Sequence, residues 1–115
     1  MIPTIQRDEI RARLDAGEPI VLVETLRPEH FDQGHLPGAI HMHYEEVDER
    51  AAALLPDRDA LIVTYCSNRA CANSRVAAER LARLGYTDVR RYEAGKDDWI
   101  QAGLAVETGA VPVIR

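Results

Sequence analysis

The chain has 115 residues, 46% of them hydrophobic and 29% charged, with a formal net charge of −5. This composition argues against a disordered chain, and the length suffices to bury one core without a metal or a disulfide scaffold. The acidic balance, with no basic run, argues against nucleic acid or an anionic membrane as a partner, and no apolar run approaches the roughly 20 residues that a membrane helix needs.

The opening, MIPTIQRDEI, has no basic segment followed by a long apolar one, so a signal peptide is not expected. Thr4 is a candidate cap for a first helix carrying Ile10 and Leu14 on one face, stopped by Gly17. PIVLVET (19–25) is a continuous run rich in valine and isoleucine, the pattern of a strand buried on both faces. RPEHFDQG (27–34) reads as a short helix with Pro28 in its first turn and Gly34 past its end. HLPGAIHM (35–42) reads as a Pro-Gly turn and a short strand, which would set His41 and His43 on one side. YEEVDERAAALLP (44–56) is helical up to Pro56.

ALIVTYC (60–66) is a second buried strand. RVAAERLARLG (75–85) follows as a helix, with Ala77, Leu81 and Leu84 on one face and Gly85 at its stop. DVRRYEAG (88–95) is a strand and turn, and KDDWIQAGL (96–104) is a last short helix in which Trp99 belongs to the core. Strands alternating with helices predict an α/β fold with a mostly parallel sheet and helices on both faces, in one domain over residues 1–115. Ligands gather at the carboxyl ends of strands in such sheets.

Both cysteines fall in TYCSNRACANSR (64–75), just past the second buried strand. Two are too few for a disulfide framework, and the expected setting is cytoplasmic, with reduced thiols. A strand-to-helix loop turns backbone N–H groups and a positive helix end toward one point, which favours thiolate over thiol. Arg69 and Arg75 are candidate sources of further positive charge, and Asn73 and Ser74 are candidate helix caps. On position alone, Cys66 reads equally as a nucleophile or as a buried strand-end cysteine. A metal site is disfavoured. The Cys-x-x-x-x-Cys spacing is too wide for a zinc knuckle and has no second pair, so His30, His35, His41 and His43 are read as ordinary loop or surface residues. Cysteine phosphatase chemistry requires an arginine six residues after the cysteine, where Ala72 and Ala77 stand.

VLVETLRPEHFDQGHLPGAIHM resembles the amino-terminal signature of rhodanese-like sulfurtransferase domains, and IVTYC with AAERLARLGYTDVRRYEAGKDDWIQAGLAVE resembles their carboxyl-terminal half. The chain departs from the pattern at three places. Glu24 stands for the usual strand-end aspartate, one residue further from Arg27. Lys96 stands for the usual second glycine. The loop reads CSNRACANS, with a second cysteine and without the common glycine.

The resemblance implies a rhodanese-like fold and a sulfurtransferase of the thiosulfate type. Its nucleophile matches Cys66, which takes a sulfane sulfur from an anionic donor as a persulfide and passes it to cyanide, a thiol or a protein acceptor. It implies no cofactor, because the cysteine itself carries the sulfur. The backbone of Ser67, Asn68, Arg69, Ala70 and Cys71 is expected to hold the outer sulfur, with Arg69 attracting the donor. Arg27 is expected either at the rim of the site or in an ion pair with Glu24. The alternative is a non-catalytic sulfur carrier or redox sensor that closes a reversible Cys66–Cys71 disulfide.

Overall fold

The computed structural model describes residues 2–109. The expected domain, 1–115, therefore extends past them at residue 1 and residues 110–115. Four strands form one sheet: β1 (Val21–Glu24), β2 (Ile40–His41), β3 (Leu61–Tyr65) and β4 (Asp88–Tyr92). Their order is β2-β1-β3-β4, and every pairing is parallel. The helices are α1 (Arg7–Asp15), α2 (Pro28–Gln33), α3 (Val47–Leu54), α4 (Asn73–Arg83) and α5 (Gly95–Gln101). The predicted α/β architecture is the observed one. Among the described residues no helix is long and apolar enough to cross a membrane.

The continuous apolar runs have the predicted cause, which is burial of β1 and β3 on both faces. Leu22, Val63 and Tyr65 join Ile10, Phe31 and Trp99 in one core. Val23 and Ile62 join Ala51, Ala77 and Leu81 in the other. Each strand thus sends alternate side chains to opposite layers.

Three local expectations fail. Thr4 does not cap α1. It bridges Arg91 at the edge of β4, where the Ile5 N–H donates to the Arg91 carbonyl, and Gln6 stands at the cap position without a side-chain bond. The segment from 44 is not one helix but a 3₁₀ turn, Tyr44–Glu46, leading into α3. His43 lies outside β2 and caps that turn, its ring nitrogen accepting from the Glu45 N–H while the Glu46 carboxylate accepts from the His43 N–H. Asn73 and Ser74 are not caps of α4, whose cap position is Ala72 with no side-chain bond.

Candidate active site

β1 and β3 lie side by side in the middle of the sheet and end level, with Glu24 opposite Tyr65. The Thr25 N–H closes the ladder on the Tyr65 carbonyl at 3.0 Å, and the chain leaves the sheet at Cys66. The turn is fixed by α5. The N–H groups of Lys96 and Asp97 donate to the carbonyls of Cys66 and Ser67, each at 2.8 Å. First-turn amides of a helix have no partner within it, so these two are free for the loop. Gly95 permits the approach: its φ is +78°, and a Cβ there would lie 2.7 Å from the Cys66 carbonyl oxygen.

The loop is braced on Asn68. Its side-chain oxygen accepts from the Ala70 N–H at 3.0 Å, its carbonyl accepts from the Cys71 N–H at 3.1 Å, and its amide donates to Asp97 at 3.2 Å. Two of the five amides expected to cradle an outer sulfur are thus engaged within the loop. The arginines of the stretch face elsewhere. Exposed Arg69 pairs with Glu93 at 2.9 Å, and Arg75 pairs with Glu79 one turn along α4 at 3.5 Å.

Cys66 is buried, and both cysteines are free thiols. The Cys66 sulfur has two acceptors for its S–H, the Cys71 carbonyl at 3.3 Å and the Ser74 hydroxyl at 3.4 Å. Burial pushes the thiol above its ordinary value and the contact with Cys71 adds to this, while the hydroxyl and amide of Ser74 pull the other way. The expected lowering is therefore reversed in this arrangement. The start of α4 does act on the sulfur through Ser74, but loss of water around the sulfur outweighs it.

Sequence reading missed Arg91 of β4. Register pairs it with Thr64, whose hydroxyl donates to the Ser74 carbonyl at 2.9 Å. The Arg91 guanidinium donates to the Ser74 hydroxyl at 2.9 Å and to the Cys71 carbonyl at 3.1 Å. No local signal marked it, since β4 is an edge strand that carries Asp88 and Arg90 as well. The expected pair of Glu24 with Arg27 is also replaced. Buried Glu24 is held by Lys96, and exposed Arg27 lines a hollow with Pro28, His43, Glu45 and Glu46. That hollow shares no lining residue with the one beside the loop, formed by Asn68, Arg69, Ala70, Ala94, Asp97, Asp98 and Gln101.

The model of the rhodanese-like domain matches residues 6–102. An HTH-type transcriptional regulator of Mycobacterium tuberculosis is 40% identical over 106 residues, covering 92% of this chain and 45% of the regulator. Thiosulfate sulfurtransferase PspE of Escherichia coli is 39% identical over 75 residues, covering 65% of this chain and 70% of PspE. The chain spans only about half the length of the first curated relatives it matches. Among solved structures, the BH2092 protein of Bacillus halodurans superposes with a TM-score of 0.85 at 25% identity, covering 92% of this chain and 77% of that one. With a family model matched over most of its length and a sulfurtransferase at this identity, the chain belongs to the rhodanese-like domain family.

Proposed function

We propose that the chain is a sulfurtransferase of the thiosulfate type, with Cys66 as the nucleophile that carries the sulfur. One observation carries the reading: in a rhodanese-like domain, the Cys66 sulfur stands at the carboxyl end of a central parallel strand with the Ser74 hydroxyl and amide turned on it. Cys66 first loses its proton to solvent. The thiolate then attacks the outer sulfur of thiosulfate. The sulfur–sulfur bond of the donor breaks, its electron pair leaves with sulfite, and a persulfide anion remains on Cys66. An acceptor then attacks the outer sulfur and the Cys66 thiolate leaves. Cyanide becomes thiocyanate, and a small-molecule or protein thiol becomes a persulfide. Neither step requires an external oxidant or a cofactor.

The amides from Ser67 to Cys71 serve the negative outer sulfur, those of Ala70 and Cys71 giving up Asn68 to do so. Arg69 attracts the donor on leaving Glu93. An exposed pair of this kind is worth at most about 1 kcal/mol, so an incoming anion can replace it. The hollow beside the loop is lined by Asn68, Arg69 and Ala70, so an anion held there meets the loop from outside. The test is intact mass spectrometry after thiosulfate treatment, with site mapping. One added sulfur on Cys66, and loss of thiosulfate:cyanide activity in a folded Cys66→Ser protein, is the expected result. A Cys66→Ser protein that keeps most of its activity overturns the assignment.

A second reading is favoured by the place of Cys71 in the same short loop, its carbonyl against the Cys66 sulfur, and by the regulator among the relatives. In that reading the domain is a sulfur carrier or sensor: the persulfide takes a proton from solvent, and the Cys71 thiolate attacks its inner sulfur to expel hydrosulfide and form a disulfide. Thiocyanate produced in many equivalents excludes it. A single equivalent together with a Cys66–Cys71 disulfide establishes it.

A further inference from the structure

The two oxygens that accept from the Cys66 S–H, the Ser74 hydroxyl and the Cys71 carbonyl, are the same two atoms that the Arg91 guanidinium grips. We infer that Arg91 is a positioning residue for the sulfur anion, fixing the Ser74 hydroxyl and the Cys71 carbonyl so that the loop tolerates negative charge on Cys66 or on its persulfide. The inference rests on the reading of Cys66 as the sulfur carrier.

In the thiol, the S–H donates to one of two oxygens. Once the proton leaves, the sulfur needs donors instead. The Ser74 hydroxyl has a single hydrogen, and the Arg91 Nε–H occupies one of its lone pairs, leaving that hydrogen free to turn to the sulfur. A hydroxyl that accepts a charge-assisted bond is a stronger donor in turn. The Cys71 carbonyl cannot donate. Facing an anion at 3.3 Å it repels, unless its charge is drawn elsewhere, and the Arg91 Nη2–H does this at 3.1 Å. The loop arginine does not take this part, since its side chain is 67% exposed and bonds to neither oxygen, whereas the Arg91 side chain is 11% exposed and bonds to both. A less exposed charge is less screened.

The groups around the sulfur come from four elements. The loop supplies the thiol and carbonyl of Cys71. α4 supplies the hydroxyl and amide of Ser74, and β4 supplies Arg91. Glu93 lies behind Arg91 at 3.4 Å and offsets part of its charge. α5 supplies the amides of Lys96 and Asp97 and, one step further out, the Asp97 carboxylate bound to Asn68, while the Lys96 ammonium is bound to Glu24.

The experiment is the rate of Cys66 alkylation by iodoacetamide against pH, mapped by mass spectrometry, with the unfolding temperature of each variant measured alongside. Arg91→Gln raises the midpoint by about one pH unit, the scale of one nearby opposite charge. Arg91→Lys keeps the charge but cannot grip both oxygens in the same fork, and raises it by less. Ser74→Ala raises it as well, and adding Arg91→Gln to Ser74→Ala shifts it by less than the sum of the single effects. A folded Arg91→Gln protein with the wild-type midpoint overturns the inference. If Arg91→Gln does not fold, Arg91→Lys decides, a raised midpoint supporting the inference and an unmoved one overturning it. Alkylation needs no sulfur donor, so a wild-type protein that takes up no sulfur would defeat the sulfurtransferase reading while leaving this measurement interpretable.

Discussion

The Lys96 ammonium lies 3.1 Å from each oxygen of Glu24 and donates to the carbonyls of His30 and Gly34 at 2.9 and 2.7 Å. The Tyr65 hydroxyl donates to the same carboxylate at 3.0 Å and accepts from the Leu36 N–H at 3.1 Å. Burial and this carboxylate push the tyrosine well above its ordinary value, so it stays a donor. Read along the sequence, Glu24 and Lys96 were two separate departures from the family pattern, 72 residues apart. In the fold they compensate each other, which no single position could reveal. Taking two charges out of water is costly, and the pair is tolerable because its members are hydrogen-bonded throughout. Removing one partner is therefore worse than removing both. Lys96→Met leaves a buried carboxylate and costs about 3–5 kcal/mol in denaturant unfolding. Adding Glu24→Gln to Lys96→Met recovers a measurable part of that loss. No recovery in the double variant would mean that Lys96 acts mainly by tying together the end of α2 through the carbonyls of His30 and Gly34.

At the scale of elements, the contact that positions the site is the start of α5 against the Cys66 turn. It depends on the missing side chain of Gly95. Gly95→Ala places a Cβ within 2.7 Å of the Cys66 carbonyl oxygen and puts a non-glycine residue at φ +78°. The left-handed backbone alone costs roughly 1–2 kcal/mol. With the clash added, thermal unfolding drops by on the order of 8 °C, and the Cys66 and Ser67 carbonyls lose their α5 donors. An unchanged melting temperature would show that the loop yields without cost. The elements themselves were legible because each carries its own signal: valine- and isoleucine-rich runs for β1 and β3, helical spacing for α4, and glycine past the helix ends. The ends that misread were decided by partners distant in sequence. Thr4 was claimed by Arg91, and the segment after His43 was tightened by its reciprocal bonds with Glu45 and Glu46. Arg91 was illegible as a site residue for the same reason. Nothing local in RRYE states that β4 registers against Thr64 and so reaches Ser74.

The described residues measure 34 × 31 × 30 Å along their principal axes, and the chain carries a net charge of −5. An anionic donor meets two opposing fields, the overall negative charge and the local arginines at the loop. Ionic strength separates them. At 0.01 M salt the screening length is about 30 Å, comparable to the molecule, so the donor feels the total charge. At 0.15 M it is about 8 Å, and only charges near the loop count. Those local charges are balanced, with Arg7, Arg69 and Arg91 set against Glu93, Asp97 and Asp98. The net repulsion is therefore the larger effect, and salt should relieve it. We expect kcat/KM for thiosulfate to rise by roughly two- to five-fold between these two concentrations, since a like-charged surface slows encounter when unscreened. Salt also eases ionisation of Cys66 in an acidic protein, so the control is alkylation of Cys66 by neutral iodoacetamide at the same pH. A rise in thiosulfate turnover beyond the rise in alkylation isolates the encounter. A fall in kcat/KM with salt would mean that Arg69, freed from Glu93, sets the field at the loop, and that attraction there exceeds the repulsion of the molecule as a whole.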